Sequence, residues 1–107
     1  MSTVTFIKDE TEFDSLLANE SLLVVDFTAT WCGPCRVISP LIDQLAEDYE
    51  ERAKVFKIDL DTNKAIGKRF GIKSIPAVMF FQQGELKETI IGVKKYEDFS
   101  GAMERYL

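Results

Sequence analysis

The sequence contains no histidine, and among its 107 residues there are only two cysteines, one tryptophan and three prolines. Each shortage excludes a kind of chemistry. Without imidazole there is no Ser-His-Asp or Cys-His nucleophile system, because both need that base. The commonest metal ligand is missing as well, and two cysteines are half of what an all-cysteine zinc site requires, so no metal is expected. No apolar run approaches the about 18 residues of a membrane span, and no membrane association is expected. Met1 to Lys8 carry neither a basic n-region nor a long apolar h-region, so no secretory signal is read. Positive charge is in deficit too. With 13 Lys+Arg against 18 Asp+Glu the net charge is −5, a poor match to a phosphate backbone, and no nucleic-acid partner is expected.

What is present fits one globular domain over residues 1–107, expected to be monomeric. A chain of about 100 residues buries enough surface to fold without metal or disulfide staples. The expected location is a reducing cytoplasm, where a disulfide is transient or catalytic. An organelle stroma or matrix also fits if a transit peptide has been removed.

The elements alternate in type. Val4 to Ile7 reads as a short strand. Asp9, with Glu12 three residues on, resembles a capping box, and Phe13, Leu16 and Leu17 follow at helical spacing. Leu22 to Thr28 is a near-continuous, valine-rich apolar run, the pattern of a strand buried on both faces. Gly33-Pro34 then opens a helix with an apolar stripe of Val37, Ile38, Leu41, Ile42 and Leu45. Pro40 inside it removes a backbone donor and predicts a kink. Lys54 to Ile58 is a further strand, so a parallel strand–helix–strand crossover is expected. Asn63 to Phe70 fits a short helix ended by Gly71. Pro76 to Phe81 and Glu85 to Ile91 form a hairpin about Gln82-Gln83-Gly84, and a helix from Tyr96 to Leu107 packs Phe99, Met103 and Tyr106 inward. The order β-α-β-α-β-α-β-β-α implies an α/β fold with a mixed sheet and helices on both faces.

The two cysteines stand three apart, after a buried strand and at the start of a helix. A cysteine at a helix N-terminus faces unpaired N–H groups and the positive end of the macrodipole, and both stabilise the nucleophilic thiolate. Cys32 holds that position, while Cys35, about one turn further in, is expected to be more buried and harder to ionise. Gly33 allows close approach, and Pro34 suits a first turn that needs no donor. Three plainer readings carry less weight. As a structural staple, a four-residue loop contributes only about 2 kcal/mol in the chain-entropy model. Zinc lacks ligands, and two inert thiols would have no reason for this placement. The pattern points to reversible dithiol–disulfide chemistry.

Asp26 interrupts the apolar strand, on one face with Leu22, Val24 and Thr28. A carboxyl buried without a partner has its pKa raised by desolvation. It is read either as a proton acceptor or as a strand-end polar group satisfied by water. Lys57, in the neighbouring strand, is read either as an ion-pair partner of Asp26 or as a solvated lysine. Trp31 is either part of a contact face beside the thiols or a packed ring. Gly92 either admits a substrate backbone or ends a strand.

The stretch Asp26-Phe27-Thr28-Ala29-Thr30-Trp31-Cys32-Gly33-Pro34-Cys35 resembles the active-site segment of thioredoxins. Gly71-Ile72-Lys73-Ser74-Ile75-Pro76 is similar to that family's cis-proline segment, Phe81 to Glu85 to its hairpin turn, and Ile91-Gly92-Val93 to its substrate-side loop. The resemblance spans essentially the whole chain. It implies the thioredoxin fold, a central mixed five-stranded sheet flanked by four helices, and a protein disulfide reductase. In that reading Cys32 is the nucleophile and Cys35 the resolving nucleophile, with Asp26 the proton acceptor or relay for Cys35. Gly33 and Pro34 tune the redox pair and Lys57 supports it. The substrate is bound by Trp31, Ile75, Pro76 and Gly92, with Pro76 cis. The implied partners are disulfide-containing target proteins and a thioredoxin reductase, NADPH- or ferredoxin-dependent, with no cofactor in the chain itself. The sequence departs from the family at Thr28, where a tryptophan is usual, and at Arg36, where a lysine is common. A Gly-Pro dipeptide between the cysteines argues against oxidants and isomerases, which often carry histidine there, and against glutaredoxin-like chains. An inert binding subunit of the same fold has no need of Cys32, Cys35, Asp26 and Pro76 together.

Overall fold

The computed structural model describes residues 4–107. Four helices and four strands follow in the order α1 (Glu10–Asn19), β1 (Leu22–Thr28), α2 (Gly33–Asp48), β2 (Lys54–Asp59), α3 (Lys64–Arg69), β3 (Ala77–Gln82), β4 (Glu85–Ile91) and α4 (Tyr96–Tyr106). The sheet order is β2-β1-β3-β4. β1 pairs parallel with β2 and antiparallel with β3, and β3 pairs antiparallel with β4.

Among the described residues the sheet therefore has four strands and not the expected five. The segment at Val4 to Ile7 forms one parallel bridge, Phe6 with Lys57, closed by Ile7 N–H to Lys57 O at 2.8 Å and Lys57 N–H to Thr5 O at 3.1 Å. Its extension is stopped by the helix signal behind it. The Asp9 carboxylate caps α1 by accepting Glu12 N–H at 2.8 Å, and the Glu12 carboxylate accepts Lys8 N–H at 2.8 Å. These bonds turn the backbone away from the β2 edge as soon as one pairing has been made.

Strand β1 is central, so both its faces are covered, which explains its near-continuous apolar run, interrupted at Asp26. On one side Leu22, Val24, Val78 and Phe80 pack with Ile38, Ile42 and Leu45 of α2 and Phe99, Ala102 and Met103 of α4. On the other, Leu23, Val25, Phe27, Met79 and Phe81 pack with Phe13 of α1 and Ile66 of α3. Five phenylalanines, Phe13, Phe27, Phe80, Phe81 and Phe99, are fully buried, each worth roughly 1.5–3 kcal/mol over leaving it exposed. Phe13 meets Phe70 and Phe81 edge to face at 5.5 and 5.7 Å, the geometry their ring quadrupoles prefer. Arg69 lies over Phe13 and Phe70 while pairing with Glu10 and Asp14, and so ties α3 to α1.

Helix α2 continues through Pro40 as one sixteen-residue element. Val37, assigned to its apolar stripe, is exposed instead. Helix α3 ends as its sequence dictates. Gly71 takes φ 62°, Gly71 N–H reaches Lys68 O, and Ile72 N–H reaches Gly67 O, which are the paired bonds of a Schellman cap. In the hairpin, Gln83 and Gly84 both have positive φ, at 53° and 80°, as a two-residue turn with the sheet's own twist demands.

Candidate active site

The C-terminal end of β1 and the first turn of α2 build the site. Cys32 is the N-cap residue of α2, Gly33 and Pro34 fill its first turn, and Cys35 follows inside the helix. Both cysteines are buried, at 4% and 2% exposure, and they are joined as a disulfide with Cα atoms 5.3 Å apart. The Cys35 amide donates to Cys32 Sγ at 3.2 Å. A backbone donor at the positive end of a sixteen-residue helix thus points at the sulfur that would carry the charge once the bond is reduced. Gly33 and Pro34 are exposed, and a Cβ on Gly33 would meet nothing within 4 Å, so the chain on the solvent side of the disulfide is bare.

A second strand end meets the first. The Ile75–Pro76 peptide bond is cis, and Ile75 O lies 4.0 Å from Cys32 Sγ. Gly92 N–H donates to Pro76 O at 2.9 Å, which fixes the turn after β4 beside Pro76. Gly92 has φ 90°, in the region that favours glycine, and open space where a Cβ would be. Trp31 is 69% exposed, and its Nε1–H donates to Asp61 Oδ1 at 3.0 Å. The packed-ring reading of Trp31 is therefore excluded. Trp31, Cys32, Ile75, Pro76 and Gly92 come from three separate segments and share one end of the sheet. A cleft of about 340 Å³ is lined in part by Ser74, Ala77 and Ile91, the sequence neighbours of Ile75, Pro76 and Gly92. Arg36 donates to Thr30 O at 2.8 Å, holding the segment that leads into Trp31. Thr28, half-buried, accepts Leu60 N–H through its backbone oxygen at 2.9 Å.

Asp26 lies beneath this surface. It is 1% exposed, and its Oδ1 has no hydrogen-bond partner. Burial pushes its pKa from 3.8 up to about 7, against the opposing pull of Lys57 and with a further push from Asp43. Lys57 sits opposite Asp26 across the β1–β2 ladder and is itself only 7% exposed, so it is not a solvated lysine. Its ion pair is with Asp43 Oδ1 at 3.0 Å, and it donates to Ser39 Oγ at 2.7 Å. Asp43 and Ser39 were not singled out in the sequence. The signal was present, because Cys35, Ser39 and Asp43 recur every four residues and therefore share a helix face, but only the fold lays that face over Lys57.

A vicinal cysteine pair at the N-terminus of the helix that follows a central β-strand, with a cis-proline loop against the outer sulfur, defines a thiol–disulfide oxidoreductase. Comparison with known proteins agrees. Residues 4–105 match the thioredoxin family. Thioredoxin from Pyropia yezoensis is 38% identical over 105 residues, covering 98% of each chain. The chloroplastic M-type thioredoxin of Pisum sativum is 36% identical over 107 residues, covering all of this chain and 62% of that protein. Among solved structures, Plasmodium falciparum thioredoxin superposes with a TM-score of 0.90 at 28% identity, covering 97% of this chain and all of that one. The chain belongs to the thioredoxin family.

Proposed function

We propose that the protein reduces disulfides in target proteins by dithiol exchange, with Cys32 attacking and Cys35 resolving. The observation that carries the assignment is the Cys35 amide directed at Cys32 Sγ. It favours charge on Cys32, while Cys35 lies deeper in the helix. In the reduced form, Cys32 thiolate attacks one sulfur of a substrate disulfide, forming a mixed disulfide and releasing a substrate thiolate. Cys35 then gives its proton to the Asp26 carboxylate, and its thiolate attacks Cys32 Sγ. That step breaks the mixed disulfide, releases the second substrate thiolate and leaves the Cys32–Cys35 disulfide. Two electrons pass to the substrate. Asp26 suits its role because a carboxyl with a pKa near 7 both accepts and returns a proton at neutral pH.

The exposed Trp31, with Ile75, Pro76 and Gly92, forms the face on which an extended substrate segment is received, its backbone pairing beside Ile75. Gly33 and Pro34 leave that face open and tune the pair, and Lys57 supports it through Asp26. One domain suffices, acting as a monomer in a reducing compartment, either cytoplasm or stroma. The matched relatives include chloroplastic proteins, which favours testing both electron sources. The deciding experiment supplies the purified chain with insulin and either an NADPH-dependent or a ferredoxin-dependent thioredoxin reductase. Turnover with one of them is the expected result. No reduction with either, or with a chemical dithiol as donor, would overturn the reading.

A further inference from the structure

Lys57 is the cation that faces Asp26, yet its ammonium is bound elsewhere. Two groups of α2, Asp43 Oδ1 at 3.0 Å and Ser39 Oγ at 2.7 Å, hold it on the helix side of the sheet. Asp26 Oδ1 is left without a partner. Among the described residues, Lys57 of β2 and Asp43 of α2 are the charged groups that act on Asp26. The other surroundings add no charge. β3 places Val78 opposite Asp26, and α4 brings Phe99, Ala102 and Met103 to this face of the sheet. Cys35 begins the same helix face on which Ser39 and Asp43 lie, so one face of α2 carries both the resolving sulfur and the groups that hold Lys57.

We infer that Asp43 is a positioning residue for the exchange reaction: by anchoring Lys57 it limits how far that cation stabilises the Asp26 carboxylate, and so fixes the pH at which Asp26 is able to take the Cys35 proton. The inference rests on the proton-acceptor role proposed for Asp26. The direction follows from charge. Asp43→Asn removes a negative neighbour of Asp26 and also releases Lys57 to turn toward it, and both changes favour the ionised carboxyl. Lys57→Met does the opposite by removing the opposing cation. Asp43 is about one-third exposed, so its replacement leaves the apolar core untouched.

The test follows the Asp26 side-chain carboxyl by carbon-13 NMR through a pH titration, in the native chain and in Asp43→Asn, Asp43→Glu, Lys57→Met and the Asp43→Asn/Lys57→Met double variant. Asp43→Asn is expected to lower the Asp26 midpoint by about one pH unit, the lower end of what an opposite charge at close range produces, and to lower the inflection in the rate of mixed-disulfide resolution with it. Asp43→Glu should restore most of the native midpoint, and Lys57→Met should raise it. In the Lys57→Met background the Asp43→Asn shift should shrink to half or less, because most of it passes through Lys57. An unmoved midpoint in Asp43→Asn would overturn the inference. A full-sized shift persisting without Lys57 would also overturn it, since Asp43 would then act by its own charge alone. The titration needs no turnover. A native chain that fails to reduce insulin sinks the functional reading, whereas a catalytically active chain with an unmoved Asp26 sinks only this one.

Discussion

The amide of Cys35 donates to the sulfur of Cys32 across 3.2 Å, so the backbone of one cysteine is placed to stabilise charge on the other once their disulfide is reduced. The two thiols are thereby made unequal by the helix that carries them. Cys32 sits at the cap, where donors converge, and Cys35 sits a turn inside, where none is spare.

That inequality separates two substitutions. Cys32→Ser is expected to abolish disulfide reduction. Cys35→Ser is expected to attack once and stop, accumulating mixed disulfides with target proteins that a non-reducing gel resolves by mass. Turnover by Cys32→Ser, or a Cys35→Ser protein that never accumulates adducts, would reverse or remove the assignment.

Asp26 predicts a stability that depends on pH in an unusual direction for a carboxyl. Its folded pKa of about 7 lies above the 3.8 of the unfolded chain. The folded state therefore holds more protons between those values, and stability falls as pH rises through that window, levelling off above about 7. Asp26→Ala removes this penalty. Its gain over the native chain is expected to be negligible at pH 4 and to grow to on the order of 4 kcal/mol by pH 8, less the cost of a small cavity. Denaturant melts at the two pH values check it. The same variant should resolve mixed disulfides more slowly and lose the inflection near neutral pH from its rate profile. An unchanged profile would leave Asp26 a structural residue.

Trp31 is the only tryptophan, so its fluorescence reports its own surroundings. Asp61→Ala removes the acceptor of its Nε1–H and should change that emission and raise the KM for a protein substrate several-fold. The exposed bond is worth only about 1 kcal/mol, so global stability should hardly change. A KM that stays constant while emission changes would separate Trp31 from substrate contact.

Two glycines with similar backbones should behave differently. Gly84 and Gly92 have φ of 80° and 90°, and alanine at either costs about 1 kcal/mol in conformational energy. At Gly84 a new Cβ would also meet Leu17 O at 3.2 Å, whereas at Gly92 it would meet nothing. Gly84→Ala is therefore expected to be the less stable of the two in urea and to exchange disulfides at the native rate. Gly92→Ala should fold better and exchange more slowly, because its methyl would stand on the face proposed to receive substrate. Equal exchange rates would remove Gly92 from that face.

Much of this was legible in the chain itself. The buried run at β1, the glycine that ends α3 and the hairpin turn between β3 and β4 each follow from local chemistry. Cys32 and Cys35 stand out because of their spacing and their place at the start of a helix, which point to dithiol chemistry. Two features were not legible, and for one reason. Whether Val4 to Ile7 extends a sheet depends on competition between an edge pairing and the Asp9 cap, and the cap wins after one bridge. Whether Lys57 pairs with Asp26 depends on what α2 lays over it, and Asp43 is 14 positions away in sequence and in contact only through the crossover. In both cases the deciding partner belongs to a different element.

The open edge of the sheet has a consequence for solubility. Strand β4 is the outer strand beyond β3, and an outer strand is a template for pairing with other chains. Here it carries Glu85, Lys87 and Glu88 in its first half, with Lys87 bound to Glu85 and Glu88 to Arg105, and its register with β3 slips between Phe80 and Phe81. A strand added along that half would have to displace charges and follow a bent ladder. The first half of the outer strand is thus guarded against edge pairing by its charges and its bulge, and the buried phenylalanines lie behind it.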